Sequence, residues 1–401
     1  MVDGPVAEQQ ADDGDAAADD ADADDAEDKA EGTGSGDTSA RRPAPTGQFE
    51  SLKRWWWLAP NVGQRGAGAN MAAARAALRA AAGGRAWPWS RGHAGLHTSA
   101  ALRAAAPKFG EVKRLTSIPA FRAERPKMGH LGFVPTMGNL HAGHVSLVER
   151  AKRECETVAA SIFINPAQFA RGEDLDKYPR TVEEDIEKLK RAGCDYVFMP
   201  SVAEMYPSGI TLDIPDQQGT FIEVRGKSHQ MEGIIRPHFF RGVATIVAKL
   251  FNVTTPNVAY FGQKDAQQCV VVRNLVHDLL YDIKIVVGET VREPDGLAMS
   301  SRNGYLSPSD REAGLCLYRG LSAAQRLFAQ GVRDRARLHA AATDAINAEP
   351  RVKLQYVSLA HPRTLEELDT VGPDGAILAG AIQTSSTRLI DNVLLGVPDG
   401  L

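Results

Sequence analysis

Only four of the 401 residues are cysteine: Cys155, Cys194, Cys269 and Cys316. They lie far apart and form no C-x-x-C pair, so neither a disulfide framework nor a zinc site is expected. Four reduced, mostly buried thiols are expected instead. The chain also lacks an uninterrupted apolar run near the ~18 residues that a membrane span requires. Its hydrophobic content of 43% is ordinary for a globular protein. Charge of one sign is lacking as well: 46 basic residues face 50 acidic ones, for a net charge of −4. That balance gives no electrostatic reason for general nucleic-acid or membrane binding. We find no internal repeat. The length allows two domains and a sizeable core.

Two N-terminal stretches are defined by what they omit. Asp12 to Asp28 is almost only Asp, Ala and Glu, with little to bury and like charges that repel. Residues 1–70 are therefore expected to be a disordered acidic, low-complexity extension. From Met71 to Lys108 there is no acidic residue, and Arg75, Arg79, Arg85, Arg91 and Arg103 stand among Ala, Leu, Trp and Ser. Residues 71–110 thus have the composition of a mitochondrial transit peptide, with His97-Thr98-Ser99-Ala100 placed where such presequences are cut. A disordered Ala/Arg linker fits the same residues. The expected compartment is mitochondrial if translation starts at Met71 and cytoplasmic otherwise.

Beyond Val112, apolar segments alternate with amphipathic ones. Strands are expected at 131–134, 157–164, 195–199, 258–261 and 283–287, and helices at 144–156, 241–252 and 266–279. Thr181-x-x-Glu184 reads as a capping box opening a further helix that ends near Gly193. The alternation predicts an α/β fold, a Rossmann-like doubly wound parallel sheet over 111–303. A smaller C-terminal α+β domain over 304–401 follows, with a helix at 311–329 and strands near 354–359 and 376–381. In such sheets, ligands sit at the carboxyl ends of the strands.

The unusual residues gather in those loops. After the first apolar strand comes Pro135-Thr136-Met137-Gly138-Asn139-Leu140-His141-Ala142-Gly143-His144. Gly138 and Gly143 allow close backbone approach, and the following helix offers N–H groups and a positive dipole end to phosphate. His141 and His144, three apart, would project to one side, donating hydrogen bonds and charge to a transferring phosphoryl group. No third or fourth ligand accompanies them, which weighs against a zinc site. Asn165-Pro166-Ala167-Gln168-Phe169 ends the second strand with neutral amides suited to hydroxyls and a carboxylate. Phe261-Gly262-Gln263-Lys264-Asp265-Ala266-Gln267-Gln268 places a lysine for phosphate and an aspartate for ribose hydroxyls beside a glycine turn. Val291 leads through Gly296 to Met299-Ser300-Ser301-Arg302-Asn303, a candidate polyphosphate clamp. The stretch from Ala170 to Tyr178 reads as a lid or an exposed loop.

The H-x-G-H turn resembles the nucleotidylyltransferase superfamily, to which class I aminoacyl-tRNA synthetases belong. The ordered set resembles one family within it, the pantothenate synthetases. These carry Pro-Thr-Met-Gly-x-Leu-His-x-Gly-His, Asn-Pro-x-Gln-Phe, Arg-Gly-Val-Ala-Thr, Phe-Gly-x-Lys-Asp-x-Gln-Gln and Arg-x-x-x-Gly-Leu-Ala-Met-Ser-Ser-Arg-Asn. Here these stand in that order, followed by Thr387-Arg388-Leu389-Ile390-Asp391-Asn392. The resemblance spans roughly Val112 to Leu395. It implies ATP-dependent condensation of (R)-pantoate with β-alanine through a pantoyl adenylate, giving pantothenate, AMP and pyrophosphate, a step of vitamin B5 and coenzyme A biosynthesis. It implies ATP binding by Met137, Gly138, His141, Gly143, His144, Gly262, Gln263, Lys264, Asp265, Val291, Met299, Ser300, Ser301 and Arg302. His144, His141 and Lys264 would be catalytic. Gln168, Gln268, Asn165 and Arg236 would bind substrate, Mg²⁺ would accompany ATP, and the enzyme would be a homodimer.

One departure stands out. Many members of that family read Arg-Pro-Gly-His-Phe-Arg-Gly where this chain reads Arg236-Pro237-His238-Phe239-Phe240-Arg241-Gly242. Phe239 occupies the histidine's place, and that histidine's role does not transfer to His238. Two rival readings remain: another adenylyltransferase of the superfamily acting on a different cofactor precursor, or a non-catalytic nucleotide-binding or interaction protein on the same scaffold.

Overall fold

The computed structural model describes residues 110–398, 400 and 401. The expectations for the acidic extension, the Arg/Ala-rich segment and a start at Met71 lie outside the described residues.

The elements, in chain order, begin with β1 (Lys113–Leu115), α1 (Ile118–Glu124), β2 (Leu131–Thr136), α2 (Ala142–Glu154) and β3 (Thr157–Ile162). Next come α3 (Val182–Arg191), β4 (Tyr196–Phe198) and the single turns α4 (Val202–Met205) and α5 (Glu232–Ile235). Then follow α6 (Phe239–Thr254), β5 (Val258–Gly262), α7 (Ala266–Asp278) and β6 (Lys284–Gly288). The C-terminal part holds α8 (Pro308–Ala329), α9 (Arg335–Asn347), β7 (Lys353–Ala360), β8 (Ala376–Gln383) and β9 (Arg388–Leu395).

The first six strands form one sheet in the order β1-β4-β3-β2-β5-β6, every pair parallel. Its strands carry nearly continuous apolar runs, as required of a sheet covered on both faces. Phe133, Val134, Ala159, Ala160, Ala259 and Tyr260 have no solvent exposure. One face packs on α6 and α7 through residues such as Phe240, Val247, Phe251 and Val271. The other packs on α2 and α3 through Leu147, Val148, Ile186 and Leu189. Chain order reverses between β2 and β5, which lie side by side. Loops leaving their carboxyl ends run apart there and open a crevice. The H-x-G-H turn leaves β2, and the Gly262–Asp265 turn leaves β5. β7, β8 and β9 form a separate antiparallel sheet packed on α8 and α9.

The sequence-expected helices and strands are present, with shifted ends, and one local expectation is corrected. Thr181 makes no side-chain cap to α3; its hydroxyl donates to Asp185 Oδ2 at 3.2 Å. Asp185 is fully buried and accepts the backbone N–H groups of Asn139 (2.8 Å) and Leu140 (2.7 Å). The buried carboxylate recruits the threonine, and Glu184 has no cap to complete. The capping box forms instead at the start of α2, between His141 and His144.

Candidate active site

Gly138 and Asn139 both have positive φ, 83° and 49°, so the chain turns sharply after β2. A glycine tolerates that conformation, and asparagine adopts it more readily than most residues. A Cβ on Gly138 would press on Ile162 and Asp185; the residue shapes the turn and does not line the cavity. His141 is the N-cap of α2, its Nδ1 accepting the Gly143 N–H at 3.1 Å. His144 Nδ1 accepts the His141 N–H at 3.4 Å. The two rings lie 4.1 Å apart, tilted by 40°.

Burial sets the charge of the pair, and those bonds set its tautomer. Burial, with the Lys264 charge second, pushes His141 down to about 4. Burial, then His141 and Lys264, holds His144 well below its ordinary value. Both are neutral near pH 7, and with Nδ1 accepting, the proton sits on Nε2. The positive charge expected from sequence is therefore absent from the pair itself. Neutral Nε2–H donors remain, and Lys264 supplies the cation.

The turn after β3 separates two residues that sequence reading grouped. Asn165 is 1% exposed. Its amide donates to Gln168 Oε1 (2.9 Å) and Gly242 O (3.2 Å), and its oxygen accepts Tyr206 Oη at 2.6 Å. Asn165 thus fixes Gln168, whose own amide nitrogen faces Met137 Sδ at 3.2 Å. After β5, Gln267 is likewise committed to the backbone, contacting Glu232 N, Lys227 O and Gln230 O, while Gln268 lines the cavity. Gln263 faces a neighbouring groove and meets Asn392, leaving Gly262, Lys264 and Asp265 on the cavity wall.

The segment after β6 folds back on itself through Met299 N to Val291 O at 3.0 Å. It is tied to the H-x-G-H turn by Asn139 Nδ2 to Ser301 O and Ser301 Oγ to Asn139 O, both 3.0 Å. Arg302 makes a bidentate pair with Asp174, both contacts 2.9 Å. Arg236 makes another with the adjacent Glu173, at 2.7 and 2.6 Å, and lies 4.0 Å from the centre of the Phe239 ring. The Ala170–Tyr178 segment therefore reaches over the cavity and holds both arginines. Burial acts to raise the Asp174 carboxyl, but its bonds to Arg302 and that residue's charge outweigh it and keep Asp174 below the usual carboxylate range.

Together these loops enclose a cavity of about 1010 Å³, lined by Met137, His141, Gly143, His144, Asn165, Gln168, Arg236, Gln268, Val291, Met299 and Ser300 to Arg302. A family model described as pantoate-beta-alanine ligase matches residues 109–394. The chain belongs to the pantoate–β-alanine ligase family. It is 51% identical over 279 residues to the pantothenate synthetase of Chloroflexus aggregans, covering 70% of this chain and 98% of that one. The Herpetosiphon aurantiacus pantothenate synthetase is 47% identical, with 70% and 99% covered. A solved pantothenate synthetase from Thermus thermophilus is 43% identical with a TM-score of 0.66, covering 72% of this chain and all of that one. The Francisella tularensis pantoate–β-alanine ligase, solved with β,γ-ATP and β-alanine, is 33% identical with a TM-score of 0.57, covering 71% and 97%. The chain is accordingly a ligase that joins pantoate to β-alanine.

Sequence reading gave no contact for the supporting groups: Asp185 under the first turn, Glu173 and Asp174 on the arginines, and Asn392, quoted only as part of a matching run, against the Lys264 turn. Each is an ordinary polar residue in sequence, and only tertiary contact reveals its use. The β9 residues Arg388, Asp391 and Asn392 carried one signal, as polar residues within an otherwise apolar strand.

Proposed function

We propose that this cavity performs the ligation through a pantoyl adenylate, and that the residues above divide the work as follows. A carboxylate is a poor electrophile because oxide cannot leave it. If a pantoate oxygen attacks the α-phosphorus of ATP, the bond to the β-phosphate oxygen breaks and pyrophosphate leaves. The acyl carbon then carries AMP as its leaving group. The β-alanine amine attacks that carbon, loses a proton, and expels AMP to give pantothenate. The first step is catalysed mainly by positioning and charge stabilisation. The Nε2–H groups of His141 and His144, with the Lys264 ammonium, face the transferring phosphoryl group. Ser300, Ser301 and Arg302 hold the outer phosphates, and backbone at Val291 meets the adenine. Gln168 and Gln268 orient pantoate, and Arg236 offers a guanidinium to a substrate carboxylate.

The single observation that carries this reading is the convergence of the neutral His141–His144 pair, Lys264 and Arg302 on one cavity at the β2/β5 crevice. Mg²⁺ would enter with ATP, its oxygen ligands drawn mainly from phosphate and water. Asp265 is the lining carboxylate beside Lys264, 3.6 Å from its Nζ. The Glu173–Asp174 segment would act as the lid that keeps water from the mixed anhydride. Family resemblance further supports a homodimer, which light scattering would register as twice the 43.2 kDa chain mass. A mitochondrial location with translation from Met71 predicts that N-terminal peptides of the native protein contain no acidic-extension residues.

The test is pyrophosphate release from ATP, Mg²⁺ and pantoate without β-alanine. Release that requires pantoate, and that falls about 10²–10³-fold in His144→Ala, supports the reading. Release only after β-alanine is added contradicts it.

A further inference from the structure

Strand β9 belongs to the C-terminal sheet, where Asn392 pairs with Ala379 of β8. Its side chain nevertheless reaches the nucleotide side of the site. Asn392 is 2% exposed. Its Nδ2 donates to two successive backbone carbonyls, Gln263 O and Lys264 O, each at 2.9 Å. Its Oδ1 accepts the Gln263 side-chain amide at 3.3 Å. The neighbouring Asp391 carboxylate accepts the Asn392 backbone N–H at 2.8 Å and forms a bidentate pair with Arg292 at 2.5 and 3.0 Å. Asn392 is therefore held from behind, and its carboxamide donates to the first two carbonyls of the short 3₁₀ turn Gln263–Asp265 and receives the Gln263 side-chain amide. Lys264 projects from the middle of that turn onto the cavity wall.

We propose that Asn392 is a positioning residue for adenylation: it fixes the Gln263–Asp265 turn and, through it, the Lys264 ammonium. The residue type follows from the contacts. Two carbonyl oxygens require two N–H donors on one side chain, which an amide supplies and a carboxylate does not. Aspartate there would set a buried oxygen against two others. The inference rests on the reading in which Lys264 acts on the phosphates during pyrophosphate release. Lys264 has no assigned part in the amine's attack on the acyl carbon, so Asn392 should matter in one half of the reaction only.

The experiment uses the full chain and measures the two halves separately. The first half is pantoate-dependent pyrophosphate release from ATP without β-alanine. The second is AMP release from synthetic pantoyl adenylate with β-alanine. Asn392→Ala, Asn392→Asp, Lys264→Ala and the Asn392→Ala/Lys264→Ala pair are compared, with Asn392→Ser taking the place of any Asn392 variant that fails to fold. The expected result is a first half slowed about ten- to a hundredfold by each Asn392 variant, with the second half unchanged within about twofold. The double variant should be no slower than Lys264→Ala alone, because a residue that acts through another has nothing left to position. Equal slowing of both halves, or additive effects in the double variant, overturns the proposal. If Lys264→Ala leaves the first half unchanged, the Lys264 reading itself fails and takes this inference with it, a result distinct from a null Asn392 effect beside an impaired Lys264→Ala.

Discussion

His141 and His144 are kept neutral by burial and by Lys264, and that has two measurable consequences. From pH 6.5 down to about 4, the unfolded chain binds a proton at His141 that the folded chain does not. Folded stability therefore falls as pH drops through that window, by at most about 1.4 kcal/mol per pH unit from this one residue. Above 6.5 the contribution is level. Urea unfolding across the window checks it, and His141→Gln should flatten the slope. In the second test, NMR titration of the His141 ring should show a midpoint near 4 that rises when ATP brings negative charge beside it. A midpoint near 6.5 in the free protein would mean that the ring is solvated. Gly143 is part of the same arrangement: a Cβ there would sit 2.9 Å from His141 Nδ1 and Cε1. Gly143→Ala should dislodge that ring from the Gly143 N–H and slow pyrophosphate release with little loss of stability.

At the scale of elements, α6 and the turn after β3 meet at Gly242, where any Cβ would collide with the Ala167 carbonyl. Gly242→Ala must push the Asn165–Gln168 turn away, so about 1–3 kcal/mol of stability and the pantoate KM should suffer together. A second element-scale prediction concerns the segment over the cavity. Asp174 occupies both guanidinium donors that face it on Arg302. Asp174→Asn should lower the Kd for ATP about three- to tenfold, the size of a partly exposed ion pair given up. A higher Kd would show instead that Asp174 holds Arg302 where ATP needs it. The elements themselves were largely legible, because continuous apolar runs mark β2, β3 and β5 and longer apolar stretches at helical spacing mark α6 and α7. The α9 helix was not, being Ala-rich with only Leu338, Ala342 and Ile346 buried along it. The short β1 was missed too: it buries a single residue, Leu115. The capping box was misplaced because T-x-x-E describes local chemistry, whereas Asp185 answers to a turn more than forty residues away in sequence.

Across the whole molecule, the C-terminal sheet and the Rossmann-like sheet are joined by buried polar contacts as well as apolar ones. Arg388 of β9 makes a bidentate pair with Glu232 at 2.6 Å for both contacts, and Tyr356 of β7 donates to the same carboxylate at 2.8 Å. Glu232 has little solvent exposure, so removing its partner strands a charge. Arg388→Met should cost about 3–5 kcal/mol in urea unfolding, while Glu232→Gln paired with Arg388→Met should recover part of that loss. Most of the residues that line the cavity were named from sequence, because their motifs are contiguous. How they are held in place was not legible, because Asn392, Asp391 and Arg388, seen in sequence only as a matching run, reach Lys264, Arg292 and Glu232 across 128, 99 and 156 positions of the chain. The central claim is that all these parts serve one acyl-adenylate. Pantoate labelled with ¹⁸O in its carboxylate tests it most directly, by mass analysis of the AMP formed in a full turnover with ATP and β-alanine. The adenylate route predicts one ¹⁸O in each AMP, transferred with the attacking carboxylate oxygen; unlabelled AMP, or ADP and phosphate as products, would contradict it.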